Sequence, residues 1–267
     1  MWKRRAIRAY KQLFVRAGLY GLYRRLFLVS LWGLGVLNSE NYTESGEAYF
    51  LARLPRYLAA TGPLVIFDIG ANVGDYAAQV KARHPTAELH AFEPHPATFA
   101  QLHRRAAAAG FTAHNLSLSD FEGTAALYNR PGAESDHASL YREVITEVHH
   151  AAAVGVEVRV TTVDAFVAAH GVARVHLLKI DAEGSELSIL RGAAHTLAAG
   201  RIEAVQFEFG EMNVISRSFV RDFAALLPEH RLYRLLPDGL VPLDQQPVFV
   251  RELFAFQNIV ALRAARP

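Results

Sequence analysis

The chain has no cysteine in 267 residues. That excludes disulfides, zinc ribbons, thiol redox chemistry and cysteine nucleophiles. It also excludes a cysteine-ligated iron–sulfur cluster, and with it radical chemistry run from one. Residues 1–39 contain no Asp or Glu. The apolar run Leu26–Val36 falls well short of the roughly 20 residues that span a bilayer. No His-Glu-x-x-His spacing occurs, and His149-His150 are adjacent, so they do not share a helix face. The expectation is therefore that no metal is required.

What is present is ordinary for a globular protein: 51% hydrophobic and 20% charged residues. The length suits one large α/β domain with a small extra segment. Charge is unevenly spread. Lys3, Arg4, Arg5, Arg8, Lys11, Arg16, Arg24 and Arg25 stand in residues 1–39, so 20 of the 28 Lys and Arg face all 26 acids in the remainder. A mildly acidic body is a poor match for a nucleic-acid groove, and no nucleic-acid partner is expected.

In the N-terminal segment, Ala6, Tyr10, Leu13, Phe14 and Ala17 recur at helical spacing with Arg4, Arg8 and Lys11 between them. Residues 1–44 thus read as a basic amphipathic helical segment preceding a domain at 45–267. The helix either caps the body with its apolar side or docks on an anionic membrane surface. A secretory signal is disfavoured, because no A-x-A-like site follows Val36.

From Leu64 onward, strand-like runs alternate with helical patterns. The strands read as Leu64–Ile69, Ala87–Phe92, Phe111–Leu118, Val175–Ile180, Ala204–Phe209, Leu232–Leu236 and Phe254–Leu262. Helices fall between them, including Val163–Ala169 and one long pattern from Leu187 to Leu197. Residues 122–161 read as a β insertion carrying a polar loop. The alternation predicts a Rossmann-like, mostly parallel sheet with helices on both faces and an antiparallel final pair.

Asp68-Ile69-Gly70-Ala71-Asn72-Val73-Gly74 joins the first strand to its helix. Gly70 permits a sharp turn, Asn72 tolerates a left-handed backbone, and Gly74 lets the helix sit close to the strand. The dinucleotide fingerprint is not met: Asn72 replaces its second glycine and Asp75 its third, where a carboxylate repels pyrophosphate. S-adenosylmethionine (SAM) has no phosphate. Its ammonium suits Asp68, and its carboxylate suits the loop N–H groups. Glu93-Pro94 ends the second strand, where a carboxylate accepts both ribose hydroxyls. Ser119-Asp120 ends the third, with Asp120 as acceptor for the adenine amino group. Each piece alone is weak, since a lone acid at a strand end is more often a helix cap.

Leu177-Leu178-Lys179-Ile180-Asp181-Ala182-Glu183-Gly184-Ser185-Glu186-Leu187 resembles the signature of FkbM-type methyltransferases. The resemblance covers about residues 45–262. It implies the class I SAM methyltransferase sheet, seven strands with the last antiparallel. It also implies O-methylation, in secondary metabolites or in bacterial surface glycans. The stretch Phe207–Arg217 looks like the subset found among surface-polysaccharide enzymes, which makes a polysaccharide or glycolipid sugar hydroxyl the expected acceptor.

Methyl transfer from a sulfonium is an in-line displacement, helped by aligning the acceptor oxygen about 3 Å from the carbon. A sugar hydroxyl must also lose a proton, so a positioned base helps. Asp181 is the first candidate, with cofactor or backbone holding as its alternative. Glu208 stands within an apolar strand, where a charge needs a partner or a role. Lys179 is its cationic counterpart, expected to pair with a carboxylate. His137, in the polar loop Glu134–Tyr141, has a pKa suited to base work. Glu183 either binds substrate or caps the next helix. Asn213 and Arg217 are candidates for the acceptor's hydroxyls.

Two rival classes remain open. An NAD(P)-dependent sugar enzyme is disfavoured by Asn72, Asp75 and the lack of a Tyr-x-x-x-Lys pair. A non-catalytic SAM-fold scaffold at a membrane is the other. N-methylation of adenine or glutamine is disfavoured, because Asp181-Ala182-Glu183-Gly184 stands where an (Asn/Asp)-Pro-Pro-aromatic motif belongs. A SAM enzyme is expected in the cytoplasm; on the docking alternative, residues 1–39 are its contact to the inner face of the plasma membrane.

Overall fold

The structure is a computed structural model that describes residues 2–39, 41–58, 62–132 and 137–264. Three helices come first: α1 (Trp2–Phe14), α2 (Tyr20–Gly33) and α3 (Glu47–Tyr57). The alternation then runs β1 (Val65–Ile69), α4 (Asp75–Arg83), β2 (Glu88–Phe92), α5 (Pro96–Ala109) and β3 (Thr112–His114). A side excursion follows in β4 (Ser117–Leu118), β5 (Gly123–Asn129) and β6 (Val154–Thr161). The alternation resumes with α6 (Val163–Ala169), β7 (Val175–Ile180), α7 (Glu186–Arg191), α8 (Ala194–Ala198) and β8 (Ile202–Phe209). The chain continues through α9 (Met212–Ile215), α10 (Val220–Leu226), β9 (His230–Leu236), β10 (Gly239–Pro242), α11 (Val248–Arg251) and β11 (Gln257–Arg263).

The main sheet has the order β10-β9-β11-β8-β7-β1-β2-β3. Strands β3, β2, β1, β7 and β8 are parallel, and β11 is antiparallel to both β8 and β9. These are the seven expected strands. The eighth, β10, folds back on β9 through a two-residue turn and is too short to show a period.

Alternate residues of the strands feed two cores. On one face Phe67, Phe92, Ile180, Phe207 and Phe209 pack under Phe166 of α6, Leu190 of α7 and Phe223 of α10. On the other, Ile66, Leu89, Leu177, Ala204 and Val260 meet α3 through Phe50 and Leu54, and α4 through Tyr76 and Val80.

Three expectations change. The run Phe111–Leu118 is two strands in different sheets: β3 pairs with β2, whereas β4 pairs with β6. Asn115 makes the break, its side-chain amide donating to the carbonyls of Glu93 and Pro94 at 2.9 Å each. The helix read from Leu187 to Leu197 is broken at Gly192, whose Cβ would stand 2.0 Å from the Ser119 carbonyl oxygen. And α1 does not lay its apolar side on the body: Ile7, Tyr10, Leu13 and Phe14 are exposed. The arm is tied down further along, by buried Leu31 and Val36 and by the Leu37 N–H donating to the Phe256 carbonyl.

Candidate active site

The carboxyl ends of β1, β2, β7 and β8 open into a cavity of about 630 Å³, a size typical of small-ligand sites. Gly70 makes the first turn at φ 77°. The N–H groups of Gly70 and Ala71 both donate to the Phe92 carbonyl, and Gly74 N–H donates to Ala71. Asn72, at φ 48°, donates its N–H to Glu93 Oε2 at 3.1 Å. These four loop amides are therefore held inside the protein, contrary to the expectation that they meet a ligand carboxylate. Gly74 also differs from its expected role. It caps α4 at φ 89°, and a Cβ there would strike Leu102 of α5 rather than the strand.

Glu93 is buried, yet it lines the cavity with Pro94. Its Oε1 accepts from His95 N–H at 2.8 Å while Oε2 holds Asn72. One carboxylate thus pins the turns after β1 and β2.

Register places Asp68, Lys179 and Gln206 side by side on β1, β7 and β8. Asp68 is fully buried beneath the cavity rather than in its wall. Neither of its oxygens makes a hydrogen bond among the described residues, and Lys179 Nζ stands 3.6 Å from Oδ1. Burial pushes Asp68 up to about 6. Lys179 Nζ donates to Asp181 Oδ2 at 2.9 Å and lies 4.8 Å from the Tyr76 ring centre. Burial works against its charge, but Asp181 and then Asp68 outweigh that and hold it well above the ordinary lysine range. The expected carboxylate partner of Lys179 is thus doubled.

Asp181, Glu183, Glu208 and His137 all line the same cavity. Glu208 is half-buried. Burial first, and the Asp181 charge second, raise it well above the carboxylate range. Glu183 takes φ 47°, and its carboxylate meets His137 Nδ1 at 2.7 Å. Glu183 does not close the turn before α7. Glu186 does so, with Oε1 accepting from the N–H groups of Ala182 and Gly184 at 3.1 and 3.0 Å. Of the loop that carries His137, Glu134, Ser135 and Asp136 lie outside the described residues.

Besides Asp68 and Gly74, four expected residues do not line the cavity. Asp120 is exposed, and Ser119 is buried, with its N–H on the Thr161 carbonyl. Because β4 has left the main sheet, Leu116, Ser117 and Leu118 line the wall in their place. Asn213 is buried and turns inward, Oδ1 accepting from Gly210 N–H at 2.7 Å. Arg217 is exposed at φ 54° beyond α9. Gly210, Glu211 and Met212 supply that side of the wall.

Sequence reading missed the contribution of residues 37–47. Leu37, Asn41, Tyr42 and Glu47 line the cavity from a segment that straddles the 44/45 boundary. Glu47 is buried, and its Oε1 accepts from Gln206 Nε2 at 2.8 Å. Burial raises its pKa, partly offset by Lys179. A signal was present: Glu47 is an acid on a helix whose other inward residues, Phe50, Leu51 and Leu54, are apolar. His149 was also passed over; burial lowers its pKa, and it too lines the wall.

The cavity wall therefore combines the carboxyl groups of Glu47, Glu93, Asp181, Glu183 and Glu208 with the Lys179 ammonium and an apolar strip of Pro94, Leu116 and Leu118. Such a wall favours a ligand with both cationic and flat apolar parts.

The chain is similar to known proteins in sequence and in fold. The chain is 29% identical over 172 residues to methyltransferase sdnD of Sordaria araneosa, covering 55% of this chain and 64% of that protein. It spans, in other words, less than two thirds of that relative's length. It is 29% identical over 184 residues to 31-O-demethyl-FK506 methyltransferase FkbM of Streptomyces tacrolimicus, covering 57% and 70%. Among solved structures it is similar to precorrin-6y C5,15-methyltransferase of Geobacter metallireducens, at 10% identity and TM-score 0.42 over 81% of this chain and 88% of that one. The parallel strands and antiparallel β11 form the Rossmann-like sheet of class I methyltransferases. Residues 68–235 match the methyltransferase FkbM domain, and the chain belongs to that family.

Proposed function

We propose that this protein transfers the methyl group of SAM to a hydroxyl oxygen. The observation that carries the reading is Glu93, a buried carboxylate held by two backbone N–H groups at the mouth of a cavity rich in acids. The residues present fit SAM. Glu93 would take the ribose hydroxyls, Leu116 and Leu118 the adenine face, and the acidic wall the cationic methionine end. When bound, SAM supplies a methyl group on a sulfonium that leaves as a neutral thioether.

The chain's own residues then handle the acceptor. Asp181 accepts a hydrogen bond from the acceptor hydroxyl and takes its proton as the oxygen–carbon bond forms. Lys179 fixes the Asp181 carboxylate in place. Glu208, whose pKa burial raises well above the carboxylate range, has its protonated form favoured and in that form donates to an acceptor oxygen. Two carboxyl groups with different environments thereby take opposite roles.

For the acceptor, a sugar hydroxyl of a surface polysaccharide or glycolipid is the favoured reading. The arm of α1 and α2 supports it. Eight cations and no acids accompany exposed Leu13, Phe14, Leu22, Phe27 and Trp32, and among the described residues no helix is long and apolar enough to cross a membrane. This arm suits the surface of an anionic bilayer. Leu37 of the cavity wall follows α2 by four residues, so docking would bring the cavity to the membrane. A hydroxyl of a secondary metabolite is the second reading, favoured by the name of the Streptomyces relative.

The test is transfer of label from methyl-tritiated SAM into cell-envelope glycolipid and glycan, beside a solvent-extracted metabolite pool. Label in the envelope fraction supports the favoured reading. Label in the metabolite pool alone supports the second. No calorimetric SAM binding overturns both.

A further inference from the structure

His137, His149 and Glu183 come from three separate stretches and meet at one wall of the cavity. Each offers a ligand atom, and these atoms lie within 4.8 Å of one another. His137 Nδ1 is 2.7 Å from Glu183 Oε1, and the two imidazole ring centres are 4.6 Å apart. His149 Nε2 is buried and has no hydrogen-bond partner among the described residues. A buried imidazole nitrogen without a partner calls for an explanation such as an ion.

The backbone around the trio is held in unusual conformations. His137 and Glu183 take φ values of 68° and 47°. Such conformations cost energy in residues with side chains and concentrate where geometry has a task. They are fixed from outside. Ser139 Oγ donates to the Glu183 carbonyl at 2.7 Å, and the Ser139 backbone pairs with Tyr128 of β5 at 2.8 and 2.9 Å. His149 closes the helical turn Val144–Val148, its N–H on the Val144 carbonyl at 3.0 Å. The expectation of no metal rested on local spacing. His149 was set aside for lack of a partner in His150, but the partner is His137, twelve positions earlier.

The geometry points to a divalent transition-metal site formed by His137, His149 and Glu183, with its open positions facing the acceptor end of the cavity. Two imidazoles and one carboxylate favour a first-row ion such as Zn²⁺, Fe²⁺ or Co²⁺ over Mg²⁺ or Ca²⁺. Three protein ligands with open positions are the pattern of sites that bind substrate, not of closed structural ones. An ion here would bind an acceptor oxygen and ease loss of its proton to Asp181. That role rests on the methyl-transfer reading; ion binding itself does not.

The test uses the full chain stripped with EDTA. Co²⁺ is titrated by visible absorption and Zn²⁺ by calorimetry, both without SAM or acceptor. The expected result is saturable binding of one ion per chain, weakened more than about tenfold by His149→Ala and by Glu183→Gln, since even outer-shell losses reach that size. The isosteric Glu183→Gln guards against a folding defect, and His103→Ala on exposed α5 surface should bind as wild type. Absence of saturable binding, or binding unchanged in both cluster variants, overturns the site. SAM affinity measured in parallel shows separately whether the methyl-transfer reading stands.

Discussion

The carbonyl oxygen of Asp181 stands 1.7 Å from where a β-carbon on Gly70 would lie. Two turns, after β1 and β7, therefore touch backbone to backbone at the point where the sheet opens into the cavity. The Asp181 N–H also donates to the Ile69 carbonyl at 2.9 Å. Gly70→Ala combines this clash with a left-handed φ of 77°. Overpacking of this kind costs about 1–3 kcal/mol, and the backbone conformation adds roughly 1–2. The expected outcome is a melting temperature lower by several degrees with SAM binding lost by calorimetry; a wild-type melt would show that the turns can separate freely.

Glu93→Ala removes the acceptor for two backbone N–H groups as well as the ribose contacts. Hydrogen bonds to charged groups are worth about 1.5–3 kcal/mol each, so SAM affinity should fall at least tenfold. Calorimetry with SAM, NAD and NADP checks this. Unchanged SAM affinity would place the nucleoside elsewhere.

Asp181→Asn keeps the shape of the side chain and removes its basicity. Turnover should drop by about 10²–10⁴-fold, the usual weight of a positioned base, with little change in melting temperature. Lys179 keeps Asp68 as a neighbour in this variant. Parallel loss of stability and turnover would mark Asp181 as a structural residue.

Burial pushes Glu186 from 4.5 up to about 7. Between those values the folded protein keeps a proton that the unfolded chain has released. The stability this group contributes is therefore full below pH 4.5 and is lost as pH rises through 7. Glu186→Gln retains an oxygen for the Ala182 and Gly184 N–H groups and has no charge to bury. Relative to wild type, the variant should gain on the order of 2–3 kcal/mol between pH 5 and pH 8. Melts at the two pH values test it; a pH-independent difference would contradict the assignment.

Arg24→Glu with Arg25→Glu reverses charge on exposed α2 and leaves the cavity untouched. Flotation of the full chain with anionic vesicles should be clear for wild type, weaker in high salt, and reduced in the double variant. Equal flotation with neutral vesicles, or none with anionic ones, would remove the membrane reading.

The strands were legible because each buried run is apolar and bounded by turn residues. The helix Val163–Ala169 and the strand Val175–Ile180 emerge with the expected ends. Ser119 and Asp120 were misplaced because periodicity cannot show a chain changing sheets; the Asn115 contact to Glu93 and Pro94 does that across 22 and 21 positions. Asn213 reads as a polar residue beside a site, yet only its hydrogen bond to Gly210 shows that it is turned into the protein.

The order of strands and the positions of Gly70, Glu93 and Asp181 at their ends were set by local pattern alone, since apolar period and glycine act over a few residues. Tertiary structure decided the rest. It brought Glu47 into the cavity wall, set Lys179 between Asp68 and Asp181, and joined His137 to His149 and Glu183. These meetings depend on how sheet register and loop closure bring distant stretches together, and no local preference encodes a distance between them.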